Sequence, residues 1–298
     1  MKKERLIGIL VFAVIITVIT LFFLFSFNPF AKVKYKERIS LIRIEGEIGG
    51  DSLSMSSVSP ESVKFILNEV KKDGSKGLIV RIDSPGGLVE ATEEIYNYIQ
   101  AFKKDTGLKV YVSMGSTAAS GGYYIACAGD EITAMPSTIT GSIGVIVELI
   151  NYEELLNKLG IKIGVIKSGE YKDIGSPARM ITEEEKAMFQ KIVDTEYEAF
   201  LNVVSSSRKI PKDELKNFAK GQIYLGTEAY KIGLVDSVGT LEDVVALLAK
   251  DAGIKGEPEI IEHSIKKGLL SSILSLFNAD INLVKGLKPV KIEYKMNF

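Results

Sequence analysis

The strongest constraint on this chain is an alternation. Short runs of β-forming apolar residues are separated by segments with helical spacing. Residues 39–48, 77–82, 109–114, 131–134, 144–149 and 162–166 read as strands. Between them, 60–72 opens with Ser59 as N-cap and Pro60 at the first helical position. Residues 88–104 place Leu88, Ala91, Ile95, Tyr98 and Ile99 on one helical face. Strands joined through helices of this length need crossover connections, which predicts an α/β fold built on a mostly parallel sheet with flanking helices. From Thr182 the pattern turns helical. The run Thr182-Glu183-Glu184-Glu185 caps a long helix reaching about Ser206, and shorter helices are expected at 211–219, 227–231 and 241–252.

Ahead of this alternation stands a different solvent problem. Leu6 to Phe27 is a run of 22 residues with no charge, Asn, Gln or Pro. At about 1.5 Å per residue a helix of that length crosses a hydrocarbon core of roughly 30 Å. The run is too long for the apolar part of a cleavable signal peptide, and its exit, Ser26-Phe27-Asn28-Pro29-Phe30, offers no small-x-small cleavage site. It reads as one uncleaved N-terminal transmembrane helix. Lys2, Lys3 and Arg5 precede it and Lys32, Lys34, Lys36 and Arg38 follow, so the basic residues do not orient it. The expected organisation is a tail and anchor over 1–31, a catalytic-size domain over 32–263, and a C-terminal tail over 264–298. The tail mixes an apolar run, 269–277, with basic residues.

Composition removes several function classes. With 37 basic against 38 acidic residues among 298, no overall positive field recommends nucleic acid as a partner. Cys127 and His263 are single representatives of their types, so no intrachain disulfide and no four-ligand zinc site is expected. The lone histidine also argues against an ordinary Ser-His-Asp triad. No cofactor is expected.

Three loop segments fall where parallel strands end, the place ligands bind in such sheets. Asp83-Ser84-Pro85-Gly86-Gly87 has two glycines before a helix, which lets a backbone amide face a cleft; taken alone it reads as an ordinary strand-to-helix turn. Ala118-x-Ser120-x-Gly122 has the small-x-Ser-x-Gly shape of a nucleophile elbow, with the free amide of Gly121 at a helix start. A tightly packed, purely structural helix start fits that segment equally well. Lys172 follows the expected strand at 162–166. A lone lysine is usually a solvated charge, yet a serine nucleophile without histidine needs another base, and a lysine amine in a dry pocket can serve.

Taken together these motifs resemble one family. Ser-Pro-Gly-Gly at 84–87, Ala-Ala-Ser-Gly-Gly-Tyr-Tyr at 118–124, Thr-Gly-Ser-Ile-Gly at 140–144 and Lys-Asp at 172–173 are similar to signal peptide peptidase A, in its short, single-repeat form. The resemblance runs from about Ile39 to Gly239. It implies a crotonase-like or Clp-protease-like fold and a membrane-anchored serine peptidase with a Ser/Lys dyad. Carried over by position, Ser120 matches the nucleophile, Lys172 the general base and Ser142 the hydroxyl that orients the lysine amine. The amides of Gly87 and Gly121 match the oxyanion hole. Asp83 and Asp173 read as structural, because a buried carboxylate against Lys172 opposes base function. Ser116 is the nearest decoy nucleophile. The resemblance further implies a homo-oligomer whose sites are shared between protomers, signal-peptide substrates, and a cell-membrane location with the catalytic domain extracytoplasmic. The tail over 264–298 is then expected between protomers, at the membrane surface, or as a free terminus.

Rival readings differ in chemistry. A stomatin-processing membrane protease uses a comparable Ser/Lys pair. A crotonase-type acyl-CoA enzyme shares the paired oxyanion amides but needs neither the dyad nor an anchor. A non-catalytic membrane scaffold needs the anchor but neither the dyad nor the paired amides.

Overall fold

In the computed structural model, residues 2–26, 36–49, 57–264 and 292–295 are described. The chain divides into two units, Met1–Lys36 and Glu37–Phe298. The first contains α1 (Lys2–Ser26), a single helix whose side chains over 7–22 are all exposed. Side chains are described without a break only over 7–22, and among the described residues no helix is long and apolar enough to cross a membrane. The expected span over 6–27 therefore rests on its sequence.

The second unit follows the expected order. It begins with β1 (Arg38–Glu45), β2 (Glu47–Ile48), β3 (Ser57–Val58), α2 (Pro60–Val70), β4 (Gly77–Ser84), β5 (Gly86–Leu88), α3 (Val89–Thr106) and β6 (Lys109–Ala119). Then come α4 (Gly121–Ala126), β7 (Glu131–Ala134), β8 (Ile139–Gly141), β9 (Ile146–Val147), α5 (Glu153–Lys158), α6 (Glu183–Arg208) and α7 (Lys212–Leu215). The remainder is β10 (Ile223–Leu225), α8 (Gly226–Lys231), β11 (Ser237–Val238), α9 (Leu241–Asp251), β12 (Glu259–His263) and β13 (Ile292–Lys295). Local signals set the helix ends. Ser59 caps α2 by accepting from the Ser62 amide, and Thr182 and Glu185 form a reciprocal capping box on α6.

The main sheet runs β10-β8-β6-β4-β1-β12, with β7 also on β6 and β11 on β7; every pair is parallel except β10 with β8. Its central strands are buried on both faces, and their alternation assigns each side chain to a layer. Leu78, Val80 and Ile82 of β4 and Val110, Val112 and Met114 of β6 pack with α2, α3 and α4. Ile79, Tyr111, Ile39 and Leu41 point the other way, against Val244, Leu248 and Ala249 of α9.

The edge of β6 is shared by two strands. β7 pairs with Tyr111–Ser113, while β8 pairs in register with Thr117–Ala119. Between these stretches the ladder to β4 slips, and the Asp83 carboxylate accepts from the amides of Ser116 and Thr117 at 3.3 and 3.0 Å. Asp83 is a structural clamp on the bulge, as expected, and it leaves Ser116 exposed.

Two expected strands differ. Residues 162–166 form none, and Ile163, Val165 and Ile166 stand exposed. The strand at 144–149 shrinks to Ile146–Val147, the two residues that pair with β13. The apolar run 269–277 lies outside the described residues.

The segment between residue 167 and α6 is held by charge rather than by a sheet. Asp173 meets Lys167 at 2.6 Å and the Arg179 guanidinium at 2.9 and 3.0 Å, and Arg179 forks onto Glu185 at 2.5 and 2.8 Å. Hydrogen bonding by Arg179 holds both carboxyls below their ordinary range, Glu185 at about 2. A depressed carboxyl stabilises the fold above its unfolded value of about 4.5 and loses that contribution as pH falls toward its folded value. Amide exchange over 167–182 is therefore expected to accelerate between pH about 4.5 and about 2, ahead of the main sheet. Glu185→Gln is expected to give the faster exchange already at neutral pH, with β4 and β6 unchanged.

Candidate active site

Ser120 follows the last residue of β6 and caps α4. Its backbone is held at φ 52°, ψ −118°, outside the usual basins for a residue with a side chain. Such a conformation costs about 1–3 kcal/mol and persists only where neighbours enforce it. Here the Ser120 amide donates to the Gly141 carbonyl at 2.8 Å, and its carbonyl accepts from the Tyr124 amide at 2.9 Å. Small neighbours make the turn possible: a β-carbon on Gly122 would stand 2.9 Å from the Ser84 carbonyl oxygen. The Ser120 side chain is 1% exposed, yet its Oγ has no hydrogen-bond partner among the described residues. Buried hydroxyls are ordinarily satisfied, so this one is held ready for something else.

Ser142 occupies the matching place on the next strand. The β6–β8 register ends at Ala119 opposite Gly141, which makes Ser120 and Ser142 the next residues on adjacent strands. Ser142 is buried and shares the positive φ of 52°, with its amide donating to the Gln222 carbonyl at 2.7 Å.

The glycine amides gather at the same point. A β-carbon on Gly121 would lie 3.3 Å from the Gly87 nitrogen and 3.3 Å from Gly86 Cα; one on Gly87 would lie 2.0 Å from the Ile48 carbonyl oxygen. Only glycine permits this approach of β2, β5 and α4. Ser84, the other serine of that loop, is fully buried and spent: its hydroxyl donates to the Gly46 carbonyl and accepts from the Gly86 amide.

Beside Gly87 runs β13, antiparallel to both β5 and β9. Tyr294 stands opposite Gly87, and Glu293 is flanked by Leu88 on one side and Ile146 on the other. An extended segment thus fits between these two edges, next to the glycine amides.

Lys172 is elsewhere. It sits in a turn whose amide donates to the Gly169 carbonyl at 3.2 Å, its side chain is exposed, and within the single chain it makes no hydrogen bond to Ser120 Oγ. The neighbouring Asp173 is occupied by Lys167 and Arg179, as its structural role requires. The structure brings together Ser120, Ser142, Gly87 and Gly121, but not Lys172.

Other groups offer no competing chemistry. His263 is three strands from β6, on β12, where a single ring nitrogen faces both Asp73 at 2.7 Å and Ser40 at 3.3 Å. Cys127 is buried, and desolvation pushes its thiol up to about 12. Sequence reasoning missed Thr92, whose buried Oγ1 is, with that of Ser120, without a partner among the described residues. Its position on α3 resembles any core-facing helical threonine, so the sequence held no signal.

Comparison with known proteins bears on the family and the fold. The model of peptidase family S49 matches residues 102–255, and that of Clp protease matches 50–140. A relative from Synechocystis sp. that carries the name of a protease is 39% identical over 234 residues, covering 78% of this chain and 80% of its own. One from Enterococcus faecium, named for signal peptide peptidase SppA, is 38% identical over 209 residues, covering 70% of this chain and 60% of its own. A solved membrane-bound stomatin-specific protease, in complex with a substrate peptide, shares the fold with a TM-score of 0.50 at 17% identity, over 82% of this chain and 98% of that one. The chain belongs to peptidase family S49 and is a serine peptidase with a Clp-protease-like α/β fold.

Proposed function

We propose that Ser120 is the nucleophile and Lys172 the general base, with the lysine supplied by a neighbouring protomer. One observation carries the reading: a buried, unpartnered serine hydroxyl held in a strained turn at a helix start, with the Gly87 and Gly121 amides beside it. Ser120 Oγ adds to the carbonyl carbon of the scissile peptide bond as its proton passes to the neutral amine of Lys172. The carbonyl electron pair moves onto oxygen, where the two glycine amides receive it. Collapse expels the amine, which takes the proton, and water activated by the same lysine hydrolyses the acyl-enzyme. Ser142 orients the lysine amine.

Shared sites are supported by what the single chain leaves unfinished. Lys172 is exposed, and Ile161, Ile163, Val165 and Ile166 before it are exposed as well, an apolar stretch suited to a homo-oligomer contact. The substrate is an extended apolar peptide added antiparallel to β5, in the place β13 takes, and a residual signal peptide is the favoured class. The 22 uncharged residues at 6–27 anchor the enzyme in the cell membrane, with the catalytic unit extracytoplasmic. A stomatin-processing role is the second reading, favoured by the shared fold, and cleavage profiling against signal peptides and stomatin segments separates the two.

Ser120→Ala and Lys172→Ala are each expected to lower peptide hydrolysis by at least about 1,000-fold with assembly unchanged on gel filtration. Mixing the two inactive variants under subunit exchange is expected to restore part of the activity; no recovery would remove the shared site. On carbonate washing, the full chain is expected to stay with membranes, whereas a chain lacking residues 1–31 is expected in the supernatant.

A further inference from the structure

Threonine hydroxyls on helices can bond back to the carbonyl four residues earlier, and buried hydroxyls ordinarily have some partner. Exposed Thr17, Thr20 and Thr195 and half-buried Thr106 bond back in this way, at 2.5–2.8 Å. Thr92, in the first turns of α3, does not. It is fully buried, and its Oγ1 has no partner among the described residues. Leaving a buried hydroxyl unmatched costs about 1–3 kcal/mol, so a fold that keeps one there forgoes stability.

The direction of that hydroxyl is telling. The place a β-carbon would occupy on Gly121 lies 2.6 Å from Thr92 Oγ1 and 3.3 Å from the Gly87 nitrogen, and the Gly121 amide is two bonds away. Thr92 Oγ1 and the Gly87 nitrogen therefore both stand against the same face of Gly121, close to the two backbone amides. The N-terminus of α3 opens immediately after Gly87 and Leu88, so its free first-turn amides and dipole add positive potential to the same side.

We propose that Thr92 is a further catalytic residue, donating a third hydrogen bond to the oxyanion of the tetrahedral intermediate beside Gly87 and Gly121. The inference rests on Ser120 as nucleophile. When Ser120 Oγ adds to the substrate carbonyl carbon, the carbonyl π pair becomes a lone pair on oxygen. The Thr92 hydroxyl donates to that oxygen and keeps its own proton throughout. Since it has no partner to give up, its hydrogen bond strengthens with the developing charge at no exchange cost, the condition for preorganised stabilisation.

The test uses the full-length enzyme in detergent, an apolar fluorogenic peptide, and a peptide aldehyde that forms an oxyanion-bearing hemiacetal on the nucleophile. Thr92→Val, which keeps the shape and removes the hydroxyl, is expected to lower kcat about 10- to 100-fold with KM within about threefold. The aldehyde's inhibition constant is expected to weaken by the same factor, and the thermal midpoint to stay level or rise. Thr92→Ser is expected to keep kcat within about threefold. Unchanged kcat in Thr92→Val, or parallel loss of activity and thermal midpoint in both variants, would overturn the proposal. Ser120→Ala separates the two readings: if it is inactive while Thr92→Val is normal, only the third donor fails, and if it stays active the nucleophile assignment falls as well.

Discussion

Three backbones converge at the C-terminal end of β6, and steric exclusion decides that they can. A β-carbon at residue 87 would overlap the Ile48 carbonyl, one at 121 would press on Thr92, and one at 141 would strike the Tyr224 ring at 2.7 Å. Removing these carbons lets β2, β5, α4 and β8 approach one another. The positive φ of Ser120 follows from that approach, since the chain must leave β6 and enter α4 within a single residue. Strain at Ser120 and glycine at its neighbours are thus two aspects of one geometric condition.

That condition fixes every member of the proposed site except the base. The amides, Ser120 and Ser142 belong to a largely buried body, whereas Lys172 ends an exposed stretch over 161–172 and is followed by the half-buried to buried Asp173–Arg179–Glu185 ion network. Such a division suits the proposed site completed by assembly, in which a protomer on its own would lack a base beside Ser120. The same division separates two kinds of stability: apolar packing holds Ser120, and acid-sensitive charge pairing holds the segment that carries Lys172.

Much of this was legible from residue pattern, where local physics suffices. The alternation of strands and helices, the caps at Ser59 and Thr182 and the glycine-lined strand ends all act over a few residues. What the pattern could not supply was pairing. Residues 162–166 carry the apolar character of a strand but pair with no strand among the described residues. β12 completes the opposite edge through Arg38–Glu259 and Arg43–Glu262 pairs separated by more than 200 residues, and β13 enters beside β5 from the far end of the sequence. Thr92 escaped for another reason: its significance lies in a hydrogen bond it does not make.

That missing bond and the strained serine share one logic. A chain selected for stability alone would satisfy the Thr92 hydroxyl or replace it with valine, and would relax Ser120 into an ordinary cap. Both departures occur within one small volume, while the surrounding polar groups are matched: Ser84 to Gly46, Thr138 to Gly115, Thr140 to Ala118. Local frustration at the proposed point of charge development, beside buried hydroxyls that are bonded, leaves the Ser120 and Thr92 hydroxyls without a competing partner among the described residues. The glycine walls supply the space, the bonded shell supplies the rigidity, and the unspent hydroxyls mark where the peptide carbonyl belongs.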